Sequence, residues 1–220
     1  MPAASWPYFS ASVHARAFQH SGLHWTWTMR TRTLFSIILV SVWGNSFAQT
    51  ATLDTTWRVG QEVFRASLKL DSDYEKELNT NLEITKNSGK VITDSIFSSR
   101  LFIQLKDVNH DNYTDLLVYQ SSGARSNETF NLYLYQPTTG DYVKVEGFNE
   151  WPNLWTTEAD GILAALILTG TVEYRFFHLT DEGKLVDLDI SERDSLLDGQ
   201  AYDIGLRRAE RLINTLPNNR

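Results

Sequence analysis

Short runs of alternating apolar and polar residues dominate the chain after about residue 50. Val63, Arg65, Ser67 and Lys69 interleave with Phe64, Ala66, Leu68 and Leu70, the period-2 pattern of a strand with one buried face. Residues 52–59 open the domain, and further strand-like runs lie at 81–86, 90–97, 101–105, 116–120, 130–135, 142–145, 171–179 and 185–190. Asn87-Ser88-Gly89, Pro137-Thr138-Thr139-Gly140 and Asp181-Glu182-Gly183-Lys184 separate some of them. Such links predict tight turns, because glycine reaches positive φ without steric cost. Residues 162–168 are continuously apolar, as in a strand buried on both faces, with a short buried helix as the competitor. From 201 to 216 the pattern changes: Ile204, Leu206, Leu212 and Ile213 sit among arginines and Pro217 stops the run, which predicts a C-terminal helix. Turn signals about every 8–12 residues predict a mainly β fold, a single antiparallel propeller-like or sandwich domain with a short C-terminal helix. No internal sequence repeat marks out propeller blades.

The front of the chain does not share this pattern. Met29 is followed by Arg30 and Arg32, an apolar run over 34–43 and the small-residue site Ser46-Phe47-Ala48. A basic start, a short apolar core and a small-x-small site make a signal peptide over 29–48. The apolar run of about ten residues is too short to span a bilayer, so no membrane span is expected after cleavage. Residues 1–28 then lie upstream of the expected start, a stretch attributed to a mis-called start codon and expected to be disordered. The β-rich domain is assigned to 49–220, and its place to the periplasm of a bacterium, or outside the cell.

Loss of Arg16, Arg30 and Arg32 lowers Lys plus Arg from 20 to 17 against 27 acids, leaving a net charge of about −10. That surface repels nucleic acid and favours cations or basic partners. The chain has no cysteine, so an exported domain would be held by its core and any bound metal rather than by disulfides.

The chemistry concentrates at 107–115. Asp107, Asn109 and Asp111 place oxygen-bearing side chains at every second position, Tyr113 offers a backbone carbonyl at the seventh, and Asp115 stands at the ninth. Alternate residues of a tight loop point to a common centre, and an all-oxygen set suits calcium, which takes six to eight oxygen ligands. An EF-hand would need Glu at the twelfth place, where Val118 lies in an apolar run. The expectation is a strand–loop–strand calcium site. Asn112 occupies the sixth place, where positive φ is needed; Asn is the residue after glycine that best tolerates it.

These residues carry a resemblance. Asp107 to Leu116, Ser122-Gly123, Asn131-Leu132-Tyr133-Leu134-Tyr135 and Gly140-Asp141-Tyr142-Val143 are similar to motifs of the bacterial calcium-binding, lysozyme-inhibitor-like immunity proteins encoded beside secreted peptidoglycan hydrolases. The match covers residues 103–179, about half of the mature chain, and departs from the pattern at Asn112, where the family has Gly. The same calcium motif occurs in FG-GAP repeats. The resemblance implies a periplasmic, propeller-like, non-enzymatic domain that binds Ca2+ structurally and recognises a protein, a lysozyme-like peptidoglycan hydrolase, through a protruding loop. Residues 121–129 are the candidate loop here, with Ser122, Gly123, Arg125, Asn127 and Glu128 as partner-binding residues.

A second reading is a calcium-stabilised glycan- or peptidoglycan-binding module that stacks sugars on Trp151 and Trp155. Hydrolysis by paired carboxylates has only Glu158 and Asp160 to draw on, and the two His after residue 48, His110 and His178, do not make a clustered zinc site.

Overall fold

The computed structural model describes residues 51–71, 76–89 and 91–215. The segments assigned above to an upstream extension (1–28) and a signal peptide (29–48) lie outside the described residues, as do Lys90 and Pro217.

Among the described residues, twelve strands form three four-stranded antiparallel sheets, each an up-and-down meander of consecutive strands. The first holds β1 (Thr52–Val59), β2 (Glu62–Leu70), β3 (Thr80–Lys86) and β4 (Val91–Ile96). The second holds β5 (Ile103–Lys106), β6 (Asp115–Ser122), β7 (Glu128–Gln136) and β8 (Asp141–Lys144). The third holds β9 (Leu154–Thr156), β10 (Ile162–Leu168), β11 (Val172–Leu179) and β12 (Leu185–Asp194). One α-helix, α1 (Gln200–Thr215), follows among the described residues. The fold is therefore mainly β, with no sheet closed into a barrel. The meander recurs three times without any recurrence in sequence.

Period-2 geometry explains how the sheets stack. Successive side chains of a strand point to opposite faces. On β6, Leu116 and Val118 join a cluster with Phe64, Leu68 and Ile84 of the first sheet, whereas Leu117 joins one with Leu163 and Phe177 of the third. On β7, Tyr133 and Tyr135 face the first sheet and Leu132 and Leu134 the third. The second sheet is thus the middle layer, buried on both faces. Strand β10 repeats the arrangement: Leu163 and Ala165 pack toward the middle sheet, and Ile162 and Ala164 pack under α1 with Leu206 and Ala209. The apolar run at 162–168 is a strand between two packed layers rather than a helix. The strands of the first sheet keep an alternation of more buried and exposed residues.

The helix is the outermost layer, and its closest approach is at Gly205. A Cβ built there would lie 2.1 Å from Cε2 of fully buried Phe176. Gly205→Ala is therefore expected to destabilise the domain by about 1–3 kcal/mol despite alanine's better helix propensity. A urea titration checks this, and an unchanged midpoint would mean that the ring simply moves aside.

The structure alters two boundaries. Residues 148–155, where the sequence pattern marks no strand, contain a 3-10 turn (Phe148–Glu150) and the start of the short edge strand β9. Three residues are too few to show a periodicity. The loop expected over 121–129 is shorter, because Ser121 and Ser122 end β6, while Glu128 and Thr129 begin β7.

Candidate functional site

The acidic loop joins β5 to β6 at one end of the middle sheet. Side-chain oxygens collect its backbone amides. Asp107 accepts from the amides of Asp111 through Oδ1 (3.2 Å) and Asn112 through Oδ2 (2.9 Å). Asp111 Oδ1 accepts from the Tyr113 amide (2.8 Å), and Asn109 Nδ2 donates to Asp111 Oδ2 (2.9 Å). Such Asx-type bonds bend the chain around its own carboxylates. The bend needs two left-handed residues: Asn112 at φ 69°, as its position predicts, and His110 at φ 61°, which the spacing did not indicate.

The loop is anchored to all three sheets. Lys106 Nζ donates to Thr156 Oγ1 of β9 (3.0 Å), and burial holds this ammonium below the usual lysine range against the pull of Asp107. Tyr142 Oη donates to the Thr114 carbonyl (2.7 Å) and accepts from Trp57 Nε1 of the first sheet (2.7 Å). Tyr113 packs against Tyr135 with ring centroids 5.1 Å apart.

Asp115 lies beneath the loop and is fully buried. Its Oδ2 accepts from the Val108 amide (2.8 Å) and its Oδ1 from the Tyr135 amide of β7 (3.0 Å). It therefore ties the start of the loop to a strand that the loop does not otherwise touch in sequence. Burial pushes its carboxyl up to about 7, the charges of Asp111 and Asp107 add to the rise, and the two amide bonds oppose it.

Among the described residues, no three His, Cys, Asp or Glu side chains gather into a metal cage. A cation here needs neutral oxygens as well, those of Asn109 and the Tyr113 carbonyl. Asp107, Asn109 and Asp111 supply hard oxygen donors from one tight turn, and the charges of Asp107 and Asp111, which add to the rise at Asp115, are of the sign a divalent cation offsets. The donor chemistry fits calcium, and a bound ion would supply structural charge balance there.

The second candidate region is the β6–β7 connection. Its tip is a 3-10 turn, Ala124–Ser126, in which Arg125 (φ 63°) and Ser126 (φ 59°) are both left-handed. Two consecutive non-glycine residues in that region are costly unless the surroundings impose them. Asn127 imposes them. Its Nδ2 donates to the carbonyls of Ala124 (3.1 Å) and Leu168 (2.9 Å), and its Oδ1 accepts from the Leu168 amide (3.1 Å) and from Asn153 Nδ2 (3.4 Å). Asn153 also accepts from the Glu128 amide (3.1 Å). Ser122, Gly123 and Arg125 are exposed. Asn127 is occupied as a latch, and Glu128 pairs with Arg100 at 3.2 Å. The Arg125 guanidinium leans over the β10–β11 turn, where a Cβ on Gly170 would lie 2.9 Å from Nη1.

Trp151 and Trp155 sit in different clusters. Trp151 packs on Phe177 under the Arg175 guanidinium, and Trp155 on Tyr174 and Tyr202 beneath α1. Glu158 accepts from Tyr202 Oη (2.8 Å), while the Asp160 side chain points to solvent, 3.8 Å from His110.

No protein-family model, curated protein or solved structure matches this chain.

Proposed function

We propose that this is an exported, non-enzymatic recognition domain stabilised by Ca2+, with a lysozyme-like peptidoglycan hydrolase as its protein partner. The observation that carries the recognition part is the exposed Arg125–Ser126 tip, held in a strained conformation by the Asn127 latch. Backbone strain maintained on an exposed tip supports a binding role, since nothing in the core needs it. A cation and a guanidinium-bearing tip offered by an otherwise acidic surface suit an enzyme that is basic overall and carries carboxylates in its cleft. Asp107, Asn109, Asp111 and the Tyr113 carbonyl would hold the calcium, with Asp115 closing the set directly or through water. Its effect would be to fix the β5–β6 loop, and through β6 the connection that bears Arg125.

Two measurements address the two halves. Calcium at a hundredfold excess over Kd is expected to stabilise the domain by about 2.7 kcal/mol, seen as a rise in Tm. Asp107→Ala and Asp111→Ala should each abolish the rise, and a response that persists in both moves the ion elsewhere. For the partner, the domain is used to capture lysozyme-type hydrolases with calcium and with chelator. Capture with calcium that weakens under chelation is the expected result; no hydrolase retained in either condition overturns the assignment.

Glycan binding remains the second reading, but separate packing of Trp151 and Trp155 leaves it one tryptophan at a time rather than a paired platform.

A further inference from the structure

Gln120 on β6 and Asn131 on β7 are polar residues that follow the apolar positions Leu116, Val118, Tyr133 and Tyr135 along the face toward the first sheet. Among the described residues, three buried side-chain atoms lack a hydrogen-bond partner, and two of them are Gln120 Oε1 and Asn131 Nδ2. Buried polar groups are paired in the great majority of cases, so an unpaired one calls for a reason. Both residues line one cleft of about 440 Å³ between the end of β4 and the β6–β8 face. Asn131 is 4% exposed.

The backbone is arranged to aim Gln120 there. Tyr119 pairs with Phe130 and Ser121 with Thr129, which leaves Gln120 as the extra residue of a β-bulge. Bulges re-aim a side chain and are over-represented beside active and binding sites. The Gln120 carbonyl leaves the ladder and accepts from the Ser99 amide at 2.8 Å. The facing wall is fixed too: buried Asn79 bonds both the amide (2.9 Å) and the carbonyl (3.1 Å) of Ser98, and Ser98 Oγ donates to the Tyr119 carbonyl (2.7 Å). This holds Leu78 and Phe97, on either side of those anchors, at the cleft.

The lining defines the ligand's chemistry. Lys144 is bound to Asp94 at 2.9 Å, and Asp94 also accepts from Tyr133 Oη at 2.6 Å, so the cation of the lining is already balanced, while its carboxylate, Glu77, is exposed to solvent. Leu78, Ile96 and Phe97 give the cleft an apolar wall. As oriented, Gln120 presents an acceptor, Oε1, and Asn131 a donor, Nδ2, and turning both amides together exchanges the two roles. Terminal amide torsions are broad, so each group turns toward the cleft without backbone movement. A secondary amide answers all three features: its carbonyl takes the Asn131 hydrogen, its N–H goes to Gln120 Oε1, and its alkyl flank lies on Ile96 and Phe97.

We propose that this cleft binds a small uncharged molecule carrying a secondary amide, with Asn131 and Gln120 as its paired hydrogen-bonding residues. The site is independent of the acidic loop and of the Arg125 tip. The test is an NMR titration of the full chain with N-acetylglucosamine, with N-acetylalanine methylamide, and with glucose as a sugar that has no amide. Saturable shifts of the Gln120 and Asn131 side-chain NH2 signals are expected, with a Kd on the order of 1 mM for so small a ligand. A response to the sugar alone names an acetamido sugar, and a response to the methylamide alone names a peptide. A response to both names the amide itself. Asn131→Leu and Gln120→Met should each weaken binding about tenfold or more without lowering Tm, because they replace an unpaired polar group by an apolar one of similar shape. If Asn131→Leu does not fold, Gln120→Met decides. Saturation by neither amide, an equal response to glucose, or unchanged affinity in the folded variants would overturn the proposal, leaving the two amides to water alone.

Discussion

Asp115→Ala is expected to lower stability by about 2–6 kcal/mol, the largest loss that any single polar side chain of the acidic loop should produce. This loss does not depend on a bound metal. Asp115 is fully buried, and its two oxygens are the acceptors for the Val108 and Tyr135 amides. Truncation leaves both amides without that acceptor in the dry space between the loop and β7, at about 1–3 kcal/mol each. Part is returned, because the burial that pushes this carboxyl up to about 7 is itself unfavourable to the charged form. Asp115→Asn should lose roughly half as much: its carbonyl oxygen keeps one amide, while its NH2 meets the other N–H donor to donor. Against a typical domain stability of about 5–15 kcal/mol, the alanine variant should show a much lower urea midpoint, and its calcium response should fall as the loop loosens. Midpoints of both variants within error of the parent would show that Asp115 braces nothing.

Asp115 also shows where sequence and structure part. The alternation of side chains made the strands legible, and β6, β7 and β10 take their places as layers buried on both faces because apolar residues occupy both parities. The spacing of Asp107, Asn109 and Asp111 located the loop, and the sixth-place argument located Asn112 at positive φ. Spacing could not show that the ninth residue bonds to β7, because Tyr135 is brought there by pairing twenty residues away in sequence. Nor could it show which loop residues would be consumed internally. Asn127 and Glu128 resemble Ser122 and Arg125 as polar loop residues, yet one latches to Leu168 and the other pairs with Arg100. Gln120 and Asn131 did leave a signal, a polar residue within an apolar strand, whose meaning depends on the bulge and the facing sheet.

Asn127→Ala is the second large effect, and it separates rigidity from contact at the β6–β7 tip. Asn127 makes four hydrogen bonds, two of them to the backbone of Leu168, forty-one residues away. At about 0.5–1.5 kcal/mol for each bond lost, the variant should be destabilised by about 2–6 kcal/mol. The local consequence is larger than the global one. Arg125 and Ser126 hold left-handed conformations that cost on the order of 1–2 kcal/mol per residue, and without the latch the tip should relax to ordinary turn geometry. Amide exchange at 124–127 and 168–170 should then rise well above that of the flanking strands, which keep their ladders. Arg125→Ala, by contrast, should leave exchange and Tm nearly unchanged, because the side chain is exposed. If the tip recognises a hydrolase as a preorganised element, both variants lose capture, Asn127→Ala by adding an ordering cost to binding and Arg125→Ala by removing the contact. Capture that survives both substitutions would place recognition on another surface. Capture lost in Arg125→Ala alone would mean that the guanidinium matters and the strained shape does not.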